Sequence, residues 1–314
     1  MDAFAAARLV AGAGFLAVAA NLDLRTRRVR DPLWIAMGTV GLALLAVELT
    51  WTGAVVNHWL LLGSAAILFY AVFFGKPILD EDRIHLRPAR ILILAAAAVG
   101  FLAALLLPTV VSTAGGTSGL APTTRLASMP IMVLVYQGFY QLGVLRGGAD
   151  AKAMIALTLL VPQYPDAAPF PILGLQPNVL QAMEVFFPFS LVVLVNAAIL
   201  FLAVPIAYLV VNATRGDLEF PQALFGTKAP INALPEHVWL MERVDRDGER
   251  VAVLFPSRGR DESEDIPKLK AAGATRVWVQ PKVPFLVPLS VGFLLAFFAG
   301  NLMLGFLTAF LPHP

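Results

Sequence analysis

Two aspartates are placed for chemistry: Asp23, in Asn21-Leu22-Asp23-Leu24-Arg25-Thr26-Arg27-Arg28, and Asp150, in Arg146-Gly147-Gly148-Ala149-Asp150-Ala151-Lys152. Each stands where a long apolar stretch meets basic residues. An ionisable group at the edge of hydrocarbon is costly to keep, and function is its default reading. Two carboxylates that share a site cannot both ionise cheaply, so one proton is held between them near neutral pH. One can then act as base on a water while the other donates a proton to a carbonyl oxygen, which is aspartic protease chemistry. A structural reading stands beside it: Asp23 as counter-charge to Arg25, Arg27 and Arg28, and Asp150 as a helix N-cap. Gly147-Gly148 ahead of Asp150 make a turn that backbone can approach closely, and a peptide could lie against it.

The elements that must position this pair are membrane helices. Hydrophobic residues make up 58% of the chain and charged residues 14%, with a mean hydropathy of +0.76. Soluble domains average about 25% charged residues, so the chain reads as an integral membrane protein with the lipid bilayer as its solvent. A net charge of +2 argues against a nucleic-acid partner, and the absence of cysteine removes disulfides, thiolate nucleophiles and cysteine-ligated zinc. His58, His85, His237 and His313 are scattered, without the paired spacing of a metalloprotease helix, so neither a metal nor a cofactor is expected.

Apolar runs predict an all-α polytopic protein with about eight transmembrane helices, near 3–22, 33–51, 58–74, 91–111, 129–145, 149–163, 184–211 and 284–311. Pro188 and Pro205 are expected kinks in the seventh. The first run carries its basic cluster after the apolar core rather than before it. It therefore reads as a retained anchor with the amino terminus outside, not a signal peptide. Connections one, three, five and seven hold 21 of the 23 Lys and Arg residues, leaving Arg8 and Arg125. By the positive-inside rule both chain ends face outward and both aspartates face the cytosol of the cell membrane.

Residues 215–282 differ in kind, with alternating stretches at His237–Met241, Arg250–Phe255 and Thr275–Gln280 and a hairpin turn at Asp245-Arg246-Asp247-Gly248. A helix is expected around Glu262–Ala272. The predicted organisation is thus 1–214 with seven helices and both aspartates, a small cytosolic α+β domain at 215–282, and a last helix in 283–314.

The run from Asp23 to Leu33 resembles the first-aspartate segment of type IV prepilin peptidases, and Gly147-Gly148-Ala149-Asp150-Ala151-Lys152 resembles their second, GxGD-type motif. The resemblance is nearest to the archaeal branch, the prepilin and prearchaellin (preflagellin) peptidases. It implies an intramembrane aspartyl endopeptidase with Asp23 and Asp150 catalytic and Gly147, Gly148 and Ala149 in the active-site loop. Its substrates would be prepilin or prearchaellin precursors, whose short basic leaders are cut just before a hydrophobic segment. Such a bond would lie at the cytosolic face, where the topology puts both aspartates. Ala149 departs from the glycine of the stricter motif, and the aspartates are 127 positions apart, room for an extra helix pair. The cysteine-bearing segment of bifunctional bacterial relatives is missing, so amino-terminal methylation is not expected.

Asp80, Glu81 and Asp82 could bind a basic leader by charge complementarity, or simply be a solvated loop. Asp31-Pro32 reads as N-cap and first-turn proline of the second helix, and Lys152 as an interface anchor. Tyr136/Tyr140 and Gln137/Gln141 form a polar stripe suited to interhelical hydrogen bonds or to facing substrate. Glu48 and Glu184 fall near outer helix ends and carry no assigned chemistry. Gly116-Thr117-Ser118-Gly119 imitates the serine motif of rhomboid proteases but sits in an outer loop. Two competitors share paired carboxylates. A presenilin-like protease should bring a Pro-Ala-Leu motif in its last helix, and none is found there. A proton-coupled transporter should place the carboxylates at the midplane in broken helices. The sequence carries no signal of oligomeric state.

Overall fold

Long runs rich in Ala, Leu, Val and Ile fold as helices. The structure, a computed structural model, describes residues 1–74, 79–80, 83–84, 88–107, 125–145, 147–173, 183, 187–245, 247–254 and 264–310; the side chains of 79, 80, 83, 84, 309 and 310 are not described. It divides into two compact units, Met1–Ala198 with Phe285–Pro314, and Ile199–Pro284.

In the first unit, α1 (Ala3–Thr26), α2 (Asp31–Trp51), α3 (Val56–Phe73) and α4 (Pro88–Leu106) follow one another, with a two-residue strand pair, β1 (Leu79–Asp80) and β2 (Arg83–Ile84), between the last two. Next come α5 (Ser128–Gln141), α6 (Gly148–Leu160) and α7 (Phe189–Phe201). The unit closes with α10 (Leu286–Phe298) and α11 (Leu302–Phe310). The helix α1 starts on an Asp2 side-chain cap to the Ala5 N–H and ends at Arg27, a left-handed residue (φ 53°) whose N–H returns to the Asp23 carbonyl. A single core cluster runs through the unit, and α6 contributes most of its length: all but one of the residues from Ala151 to Leu160 are buried.

Each of the eight expected segments contains helix, yet among the described residues five helices are long and apolar enough to cross a membrane, or six with one bent pair. The expected fifth and sixth spans are only 14 and 13 residues long. The α6 backbone is enclosed by α2, α3 and α5, so it has no need of the full length that lipid exposure demands. The expected seventh span is a 27-residue stretch, Phe189–Arg215, in which α7 gives way to α8 (Ala203–Arg215) at Leu202. Pro205 lies just after the break and lacks the N–H that would reach the Phe201 carbonyl. Pro188 instead precedes the helix. The expected last span is broken, α10 and α11 meeting at 54°. Asn196, fully buried on α7, satisfies the break by donating to the Gly300 carbonyl (2.9 Å) and accepting from the Leu302 N–H (3.1 Å).

The second unit opens with the last three residues of α7, followed by α8. Asn212, fully buried near its end, donates to the carbonyls of Ala223 (2.9 Å) and Gly226 (2.8 Å), folding the following chain back on the helix. Beyond it lie β3 (Thr227–Pro230), β4 (Val238–Leu240), β5 (Glu242–Val244), β6 (Arg250–Ala252), α9 (Asp265–Ala271) and β7 (Arg276–Pro281). The strand β7 is central to an antiparallel sheet ordered β3-β7-β4, and β5-β6 form the expected hairpin, with Gly248 at φ 80° in its turn. Sequence patterning missed β3. It is an edge strand ending at Pro230, and a proline there costs no ladder bond. Ala229, Leu240, Leu269, Val277 and Val279 form the small core. Asp217 takes both arms of the Arg276 guanidinium (3.0 and 2.6 Å). Hydrogen bonds from Lys228 and from the Trp278 indole hold the Glu219 carboxyl below its ordinary range.

Candidate active site

Asp23 is half-buried in the last turn of α1. Its carboxylate lies near the backbone of Leu286, the first residue of α10, and in the field of the Arg27 guanidinium. The first N–H groups of a helix have no partner within it and carry partial positive charge, so a carboxylate is well placed there. The Arg27 atoms Nε and Nη1 are buried without a hydrogen-bond partner. Guanidinium groups left so are costly and await an acceptor.

Asp150 is half-buried in the first turn of α6, three residues after the N-cap Gly147. Its side chain folds back over that cap: a Cβ built on Gly147 would fall within the Asp150 carboxyl group. Gly147 is therefore required as empty space, whatever its backbone freedom. At Gly148, added bulk would meet the Tyr140 ring and hydroxyl, both 3.6 Å from a built Cβ. Ala149 packs against the core. Arg146 lies outside the described residues.

Two contacts set the ends of these helices. The Lys152 ammonium donates to the Asp31 carboxylate at 2.6 Å, joining the amino-terminal parts of α6 and α2. Farther along, Gly41 of α2 lies against the backbone of Leu159 and Leu160, where no Cβ would fit. The two helices thus run side by side in the same direction. Because α1 turns into α2 through residues 27–30, Asp23 and Asp150 belong to the same end of this unit, and α1 also touches α6 directly. Asp31 proves to be the first helical residue after the N-cap Arg30, not the expected cap, and its carboxylate serves Lys152 instead.

Other residues singled out by the sequence fall elsewhere. Asp80 is in β1, while Glu81 and Asp82 lie outside the described residues, as do Glu184 and the segment Gly116–Gly119. Tyr136 is fully buried and donates to Ser190 (3.0 Å), which also accepts from Thr158 (3.0 Å), so this part of the polar stripe is interhelical. Its neighbour one turn on, Tyr140, is partly exposed beside Gly148. Glu48 pairs across helices with the buried Arg8 at 2.5 Å. Sequence reasoning missed three partners of the aspartate segments: Asp31 with Lys152, the α10 amino terminus at Asp23, and Tyr140 at Gly148. Only the lysine carried a local signal, being a cation near the amino-terminal end of a helix, where the dipole gives it no help.

Comparison with known proteins adds independent findings. Residues 219–302 match a family model described as Archaeal Peptidase A24 C-terminus Type II. The chain is 30% identical over 166 residues to a preflagellin peptidase of Methanococcus voltae, a match covering 50% of this chain and 65% of that protein. It is 25% identical over 169 residues to the preflagellin peptidase of Methanococcus maripaludis, covering 52% and 67%. It is 27% identical over 185 residues to that of Methanocaldococcus jannaschii, covering 57% and 74%. The match thus spans just under two thirds of the Methanococcus voltae protein. The carboxy-terminal segment is thus similar to an archaeal peptidase family, and about half of the chain is similar to three archaeal preflagellin peptidases.

Proposed function

We propose that this protein is a membrane aspartic endopeptidase that removes short basic leaders from prearchaellin or prepilin precursors at the cytosolic face. The observation that carries the reading is a coincidence: a chain similar to preflagellin peptidases has Asp23 and Asp150 at one end of its helical unit, on helices that touch. In the reaction, one carboxylate takes a proton from a water that attacks the scissile carbonyl carbon. The protonated partner hydrogen-bonds the carbonyl oxygen as it becomes an oxyanion. Collapse of the tetrahedral intermediate transfers a proton to the amide nitrogen and breaks the C–N bond. Gly147, Gly148 and Ala149 shape the approach of the peptide. Eight spans, with both termini outside and residues 215–282 in the cytosol, complete the proposed topology.

Transport is the weaker reading because the broken span α10–α11 is lined at its break by Asn196 and Asn301, and neither aspartate lies on it. The test is cleavage in vitro. The purified chain in lipid vesicles should release the leader from a fusion of a basic leader to its own hydrophobic helix, cutting at one bond. An intact fusion under conditions where the protein is folded overturns the reading. Asp80, Glu81 and Asp82 are proposed to hold the leader's basic residues. Replacing all three by Asn or Gln should raise KM several-fold with kcat little changed. An unchanged KM removes them from the site.

A further inference from the structure

We propose that the ion pair between Asp31 and Lys152 is a positioning device for the Asp150 turn. Lys152 would be the residue that sets the rotation of α6, and Asp31 the post it is tied to. This rests on the reading of Asp150 as catalytic. A cation at the fifth position of α6 gains nothing from the positive end of that helix, so helix formation alone does not account for it. What holds it is external: the Asp31 carboxylate at 2.6 Å and the face of the Phe73 ring, 5.6 Å from the ammonium to the centroid. Asp31 has the opposite standing, since an acid at the first helical position of α2 is favoured. The pair is partly exposed, with 30% of the lysine and 46% of the aspartate side chain accessible. An ion pair so exposed adds little to stability, and its consequence is geometric.

That geometry reaches both halves of the site. Residues two apart on a helix lie about 200° around its axis and do not share a face. Pinning Lys152 to α2 therefore turns Asp150 away from α2. Toward the other end of α6, Gly41 lets the two backbones meet at Leu159 and Leu160, so the helix is held at two points and cannot rotate freely. Asp31 also follows Asp23 through the short turn containing Arg27, so the same contact ties the α1–α2 turn to the start of α6.

The experiment compares wild type, Asp31→Asn, Lys152→Gln and the exchange Asp31→Lys with Lys152→Asp, all full-length in lipid vesicles. It measures kcat and KM on the leader fusion, and the melting temperature of each. Each single variant should lose about 10- to 100-fold in kcat with KM within about twofold, the usual cost of misplacing a reacting group by about 1 Å. The exchange should recover most of that loss. An unchanged kcat in Asp31→Asn overturns the proposal, as does an exchanged protein no better than the worse single variant while melting like wild type. A rise in KM alone would assign Asp31 to leader binding and overturn it too. If wild type leaves the fusion whole, the proteolytic reading fails and the positioning role goes with it. Wild-type cleavage with an unaffected Asp31→Asn sinks the positioning role alone.

Discussion

Asp150→Asn should abolish leader cleavage, by about 10³-fold or more, in a protein that still inserts, folds and binds the fusion. The substitution keeps the shape of the side chain and removes its ability to exchange a proton. An amide can donate a hydrogen bond over the Gly147 cap but cannot take a proton from water or yield one to an oxyanion. General acid–base groups contribute about 10²- to 10⁴-fold each, and in a dyad that shares one proton the loss of either member disables both roles. Asp23→Asn should therefore look the same in rate. It should differ in stability, because the Asp23 carboxylate also lies near the start of α10, whose unpaired N–H groups favour negative charge. A neutral amide carries no such charge. The measurement is single-turnover cleavage by both variants, with melting in parallel. Cleavage by Asp150→Asn at even a tenth of the wild-type rate would remove the residue from the mechanism.

Some of this site could be seen in one dimension and some could not. The aspartates stood out because each interrupts a border between hydrocarbon-length runs and arginines, and such borders are local. The helices α1 to α4 were legible for the same reason, each being a long apolar run closed by breakers. The partners of the aspartate-bearing segments come from far along the chain. Lys152 and Asp31 are 121 positions apart, and Asp31-Pro32 imitates a helix cap well enough to conceal a second use. The break between α10 and α11 was read as one continuous helix because Ala299-Gly300-Asn301 is short. Its geometry depends on Asn196, more than 100 residues away, replacing the lost helical hydrogen bonds. The lengths of α5 and α6 were also beyond hydropathy. A helix wrapped in other helices obeys packing, not bilayer thickness, and apolar composition alone cannot tell the two surroundings apart. The edge strand β3 has no alternation to read and ends on a proline.

Gly147→Ala should cost about 10- to 100-fold in kcat, more than its single methyl would cost on an open surface. The reason is occupancy: the space where that methyl would go holds the Asp150 carboxyl group. Gly147 has ordinary extended backbone angles at the N-cap (φ −84°, ψ 121°), so alanine meets no conformational penalty and the helix still starts at the same residue. Only the carboxyl group must move. Displacing it swings the reacting oxygens by a distance of the order of a carbon–carbon bond, and errors of about 1 Å in a reacting group are worth about 10²-fold. Gly148→Ala is the control within the same turn. A Cβ there meets the Tyr140 ring only at 3.6 Å, an ordinary contact, and its kcat should stay within a few-fold of wild type. Kinetics of the two variants on the leader fusion decide the matter. If Gly147→Ala cleaves like wild type while Gly148→Ala fails, the carboxyl group does not work from the position over the cap, and the reactive geometry must be built on Tyr140's side of the turn instead.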